Sequence, residues 1–159
     1  MRRIISFIVI LALFQPSSAF AASTTVAGIH GETLTASATK VSNNSEITIT
    51  GKRFDETVGI YLSFCVIPKS GKLPTPCGGG INKAGIGEAS FWISSNPPPY
   101  GIGLAEPFKV GGRFTAKLKV SQKIGKFDCK KVKCAVTIRA DHLRSEERSY
   151  DLYIPIKFK

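Results

Sequence analysis

The chain has 159 residues, 43% hydrophobic, 9% aromatic and 21% charged, with 22 Lys and Arg against 11 Asp and Glu for a formal net charge of +11. That length admits one domain and that composition excludes a wholly disordered chain. The 15 Gly and 9 Pro favour turns over long helices and exclude a coiled coil.

In chain order, the first predicted element is a leader. Arg2 and Arg3 precede an apolar run from Ile4 to Phe14, and Ala19-Phe20-Ala21 is a small-residue cleavage pattern, so residues 1–21 read as a secretory signal peptide cut after Ala21. The apolar run, about eleven residues, is shorter than the roughly 20 that span a bilayer. No transmembrane anchor is expected, and the mature chain, residues 22–159, is expected outside the cell, secreted or associated with the envelope.

Beyond the leader, helical periodicity is nearly absent and period-2 alternation recurs between turn residues. Strands are predicted over 34–38, 46–50, 58–65, 89–93, 114–120, 134–139 and 151–158. In the third, Val58, Ile60, Leu62 and Phe64 form the inward face against Gly59, Tyr61, Ser63 and Cys65; in the sixth, Cys134, Val136 and Ile138 face Ala135, Thr137 and Arg139 in the same way. Seven short strands of this kind describe an all-β antiparallel sandwich of the immunoglobulin-like type, with Phe54, Phe64, Phe114 and Phe158 as the larger pieces of its core.

Export changes how the four cysteines are read. In an oxidising compartment Cys65, Cys77, Cys129 and Cys134 should be disulfides rather than a metal site. Their gaps of 12 and 5 residues do not match paired zinc-ligand spacing, and three pairings are open. Two local bridges, Cys65 with Cys77 and Cys129 with Cys134, are the economical choice.

The stretch 77–112 breaks the alternation. It holds Gly78-Gly79-Gly80, Gly85, Gly87, Pro97-Pro98-Pro99, Gly101 and Gly103 around the chain's only Trp, Trp92. With Phe91, Trp92, Tyr100 and Phe108 it is too aromatic for a linker and reads as an ordered loop packed on the sandwich. Trp92 and Tyr100 are candidates for the walls of an apolar site; the alternative is that Trp92 is a core plug.

The densest polar constellation lies in the connection between the last two predicted strands: Arg139, Asp141, His142, Arg144, Arg148 and Asp151 are candidate binding residues at one end of the sandwich. The competing reading has Asp141 and Asp151 pairing with Arg139, Arg144 or Arg148 to stiffen the hairpin, with Asp141 accepting backbone N–H groups as turn aspartates do. Catalysis has little support. Asp141 and His142 are neighbours whose side chains diverge in extended backbone, no nucleophile elbow is present, and no free thiol is expected. No metal, cofactor or catalytic residue is expected.

Ile47-Thr48-Ile49-Thr50-Gly51 with Phe54, then Cys65, then Asp128-Cys129, Cys134 and a terminal strand ending at Phe158 resemble the neocarzinostatin family of secreted apoproteins. The stretches Trp92-Ile93-Ser94-Ser95-Asn96-Pro97-Pro98, Ala140-Asp141-His142 and Arg148-Ser149-Tyr150-Asp151 are similar to uncharacterised exported modules that accompany haem-transport-associated domains. The resemblance implies an immunoglobulin-like seven-stranded sandwich with two short-range disulfides and a cleft for an enediyne chromophore. It places Ile67 where the family has a cleft aromatic and Arg139 where it has a small polar cleft residue. It also admits a haem-ligand role for His142, Tyr61, Tyr100 or Tyr153. An Arg at the cleft must stay paired or hydrated, so a partly filled cleft is expected, one that does not bind a large polycyclic guest tightly.

Without the leader, 20 basic and 11 acidic residues remain, and the stretch 109–159 holds 14 of the basic and five of the acidic ones. A basic exported protein favours anionic partners. The expected function is therefore a non-enzymatic binding module of the cell exterior, whose partner is an envelope protein or polymer or a hydrophobic small molecule; nucleic acid is not an expected physiological partner. Two alternatives stand beside it. One is adhesion to anionic envelope polymer through Lys117, Lys119, Lys130, Lys131, Lys133, Lys157 and Lys159; the other is carriage of a small molecule, enediyne-like or haem.

Overall fold

A computed structural model describes residues 22–78, 86–87 and 90–159; the leader and the stretches 79–85 and 88–89, with Gly79, Gly80, Gly85 and Ala89, lie outside the described residues. All seven predicted strands form, as β2 (Thr33–Ala36), β4 (Ser45–Lys52), β5 (Ile60–Val66), β7 (Ser90–Ile93), β8 (Phe114–Val120), β11 (Cys134–Ala140) and β12 (Leu152–Phe158). Five further short segments were not predicted: β1 (Thr24–Ala27), β3 (Lys40–Val41), β6 (Ile86–Gly87), β9 (Lys123–Ile124) and β10 (Phe127–Asp128). The four two-residue segments carry too few residues to show alternation and are held by register with a neighbour, whereas β1, as long as β2, presents only half-buried and exposed residues and so lacks an apolar face to announce it.

The strands make a four-stranded sheet in the order β1-β2-β4-β8, a six-stranded sheet in the order β3-β12-β11-β5-β7-β6, and a β9-β10 hairpin. β-Branched and aromatic residues on alternating positions drive this arrangement because each strand must bury one face. Leu34, Ile47, Ile49, Phe114 and Leu118 from the first sheet meet Ile60, Leu62, Phe64, Val136, Ile138 and Ile154 from the second, all buried. Phe54, Phe108 and Phe114 cluster at one end, with Phe54 and Phe114 ring centroids 5.3 Å apart. Phe158 meets Phe64 edge-on at 6.1 Å.

Both cysteine pairs are local disulfides, Cys65 with Cys77 and Cys129 with Cys134. The first ties the end of β5 to a loop that folds back beside it; the second closes the bend leading into β11.

The four-stranded sheet alternates buried and exposed residues, as on β8, where Thr115, Lys117 and Lys119 face solvent. The centre of the six-stranded sheet does not. Every residue of β11 from Cys134 to Ala140 is buried, and so is β5 from Ile60 to Cys65. The outward-phase residues Tyr61, Ser63, Ala135, Thr137 and Arg139 are therefore covered on a second face, and that face carries the candidate site.

Candidate functional site

Register aligns the outer-face residues in rows. Trp92 on β7 stands opposite Tyr61 on β5, and Tyr61 opposite Arg139 on β11. Trp92 and Tyr61 have ring centroids 6.1 Å apart, and the Arg139 guanidinium lies 4.8 Å from the Tyr61 ring centroid as a cation–π pair. The next row brings Ser63, Thr137 and Tyr153 together. Burial, reinforced by the Asp141 carboxylate, pushes the Tyr61 phenol up to about 12, and burial pulls the Arg139 guanidinium below its ordinary range. Arg139 is 5% exposed; its Nη1 reaches Ala140 O at 3.4 Å, while its Nε has no partner.

Asp141 organises the end of this face. It is fully buried, accepts from Trp92 Nε1 at 3.0 Å and from Leu143 N at 3.0 Å, and so caps the short 3₁₀ turn His142–Arg144. Its approach depends on Gly59, whose amide carbonyl accepts from Asp141 N at 2.9 Å and on which a Cβ would run into the Asp141 carboxylate. Trp92 is buried, and a Cβ on Gly101 would collide with its ring.

Asp141 and His142, expected to diverge, both reach Trp92, Asp141 by its carboxylate and His142 by its ring, because His142 begins the 3₁₀ turn instead of continuing an extended strand. The His142 Nδ1 meets Tyr61 Oη and its Nε2 meets Tyr100 Oη, both at 2.6 Å. A neutral imidazole donates from one nitrogen and accepts at the other, so the ring links the two phenols. Both nitrogens are thereby engaged, and iron ligation by His142 would require breaking one of these bonds. Tyr100 is 62% exposed and joins Trp92 only through His142, whose ring centroid lies 5.1 Å from that of Trp92.

The 139–151 constellation divides into two parts. On one side, Arg144 Nη1 donates to Thr57 O at 3.3 Å, beside a depression of about 250 Å³ lined by Thr57, Gly59, Ser94, Asn96, Asp141, Leu143 and Arg144. On the other, Arg148 Nη1 meets Asp151 Oδ2 at 3.3 Å, Arg148 Nη2 donates to Ser145 O at 2.8 Å, and Tyr153 Oη donates to the same Asp151 oxygen at 3.0 Å. Burial raises the Asp151 carboxyl in spite of Arg148, and it also raises the Tyr153 phenol. A cleft of about 340 Å³ opens beside this second group, with Ile67, Pro68, Lys69, Ser70 and Gly71 on one wall and Arg148, Asp151 and Tyr153 on the other.

Of the wall 67–71, sequence reasoning singled out only Ile67, through the resemblance, and not Pro68 to Gly71. Their signal was available: a Pro- and Gly-containing turn pinned between two cysteines next to a central strand. The lysines considered for polymer adhesion are dispersed, with Lys117 and Lys119 on the open face of the four-stranded sheet, Lys130, Lys131 and Lys133 around the Cys129 to Cys134 bend, and Lys157 and Lys159 on the last strand and just beyond it. Lys117 also pairs with Glu46 at 3.2 Å.

Neither a protein-family model nor a curated protein matches the chain. Among solved structures it is similar to macromomycin, with a TM-score of 0.52 and 15% identity over 81% of this chain and 100% of that one. The fold is neocarzinostatin-like. Of the two positions that the resemblance assigns to a cleft, Ile67, just past β5, lines the 340 Å³ cleft, and Arg139 is packed on Tyr61 near the other end of β5. No helix among the described residues is long and apolar enough to cross a membrane.

Proposed function

We propose that the protein is an exported, non-enzymatic module that binds a small molecule in the cleft between residues 67–71 and the Arg148 to Tyr153 wall. The observation that carries this reading is the cleft itself. Its lining includes the apolar side chains of Ile67 and Pro68 and the Tyr153 ring, and Ile67 holds the position that the neocarzinostatin resemblance assigns to a cleft aromatic. Two disulfides and no free cysteine among the described residues suit an oxidising compartment outside the cell.

A volume of about 340 Å³ is at the small end of the range for ligand sites, roughly 300–1,000 Å³. With Arg139 and Trp92 occupying the face beside it, the cleft suits a guest of two or three fused rings' size and not a large polycyclic chromophore. The dispersal of the lysines weighs against polymer adhesion, which needs adjacent charges.

The test is a titration with the neutral fluorophore phenyl-naphthylamine against the mature protein and against Ser70→Trp, which places a bulky ring on the exposed rim of the cleft. Saturable one-to-one binding that Ser70→Trp abolishes is expected. Absence of saturable binding, or equal binding by the variant, would contradict the assignment.

A further inference from the structure

The cleft has a charge character that sets its ligand class. Lys69 is exposed on one wall and Arg148 stands on the other, while Arg139 is buried beside them. These three cations face one carboxylate of the cleft, Asp151, whose Oδ2 is already held by Arg148 and Tyr153. Even with Asp141 included, which is held by Trp92 and the Leu143 amide, the group keeps a positive surplus. Arg139 and Arg148 each carry a buried Nε that finds no acceptor, against one buried acceptor without a donor, Asp151 Oδ1. Two guanidiniums with an unmet donor against one carboxylate with an unmet acceptor leave the place short of negative charge. The Lys69 to Lys72 turn, closed by Lys72 N to Lys69 O at 3.1 Å, sets the exposed residues Lys69 and Ser70 on the lining of the cleft.

We propose that the cleft takes an anionic amphiphile: a soluble small molecule whose carboxylate, sulfonate or phosphate sits between Lys69 and Arg148 while its apolar body lies on Ile67, Pro68 and the Tyr153 ring. This rests on the cleft being a small-molecule site, and it adds the sign of the guest's charge. Low local dielectric behind the apolar wall strengthens the attraction relative to an open surface. Arg139 acts through the field and not by contact, because it is buried and does not line the cleft.

The test compares two probes of one shape, anilinonaphthalene sulfonate and the neutral phenyl-naphthylamine, on the mature protein, on Lys69→Gln and on Lys117→Gln. Lys69 and Lys117 are both exposed, so neither substitution threatens folding. The sulfonate is expected to bind about tenfold more tightly than the neutral probe, and Lys69→Gln to weaken the sulfonate about three- to tenfold while leaving the neutral probe unchanged. Lys117→Gln, on the opposite sheet, should change neither. If both probes bind alike and Lys69→Gln alters neither, the charge selectivity is wrong and the small-molecule site stands. If Lys117→Gln weakens the sulfonate as much as Lys69→Gln does, the attraction is general surface charge and the inference fails. If neither probe binds, the site itself is wrong and the inference falls with it.

Discussion

Removing the Asp141 carboxylate should destabilise the protein through two separable losses. In Asp141→Ala the Trp92 Nε1, donating at 3.0 Å from a side chain only 2% exposed, is left without an acceptor; a buried unsatisfied donor costs about 1–3 kcal/mol. The same substitution strips the Leu143 N–H of its cap, worth about 1 kcal/mol. The expected total is about 2–4 kcal/mol. A double-mutant cycle with Trp92→Phe isolates the first loss, because Asp141→Ala in the Phe background should forfeit only the cap. Urea unfolding followed by far-UV circular dichroism suits all four proteins, since Trp92 is the only Trp and its fluorescence disappears in half of them. A coupling energy of about 1.5–3 kcal/mol is expected for a hydrogen bond to a buried carboxylate. A value under about 0.5 kcal/mol, within the range for independent sites, would refute the claim that Asp141 fastens the end of the hairpin to Trp92.

Arg148 and Arg139 should respond in opposite ways to methionine. Arg148→Met leaves Asp151 without its ion-pair partner, in a pair whose side chains are 20% and 9% exposed, and is expected to cost about 1–3 kcal/mol. Arg139→Met replaces a poorly satisfied buried cation by an apolar chain of similar length and should be neutral or stabilising, within about 1 kcal/mol; thermal unfolding of the two variants checks the contrast. Alkaline pH should destabilise the protein above pH 10 through Tyr61, whose folded pKa is pushed up to about 12 from an ordinary 10.0, and through Tyr153, whose phenol is also raised by burial. With the folded Tyr61 value raised, its contribution is fully present below pH 10 and is lost as pH rises towards 12, so Tyr61→Phe should flatten the stability profile between those values in a pH series of urea midpoints. Glu32 is 1% exposed with neither carboxylate oxygen hydrogen-bonded, and Glu32→Gln should raise the unfolding free energy by about 1 kcal/mol because a neutral amide is cheaper to bury.

The strand set was legible because long strands that bury one face must alternate: Phe114 to Val120 reads as a strand from its residues alone, and it is one. The two disulfides were legible because short loops between cysteines in an oxidising setting leave few sensible partners. The second buried face was not legible. Tyr61, Thr137 and Arg139 occupy positions whose polar character normally means solvent, and they are covered by partners from distant segments, Trp92 and His142 on Tyr61 and the Tyr61 ring on Arg139, with β5 and β11 at the centre of the sheet. Distance along the chain hid the site as well. Trp92 and Asp141 lie 49 residues apart, and Tyr61 and His142 lie 81 apart; no local pattern announces pairs that register alone brings together. Trp92 and Tyr100, read as two walls of one apolar site, instead serve different ends, Trp92 as a buried donor to Asp141 and Tyr100 as an exposed phenol on His142. The Arg and Asp residues of the hairpin were legible as pairs in kind, but the choice of Arg148 for Asp151 depended on the 3₁₀ turn at His142 to Arg144 that separates the two halves of the constellation.

The location of the binding site is tested most directly by chemical-shift mapping of the mature, isotope-labelled protein during titration with phenyl-naphthylamine. The amides of residues 67–71 and 148–153 should shift in a saturable manner, with those of the four-stranded sheet, Lys117 and Lys119 included, unmoved. Saturable shifts centred on that sheet or on the Cys129 to Cys134 bend, or no shifts at millimolar probe, would contradict a small-molecule site in this cleft.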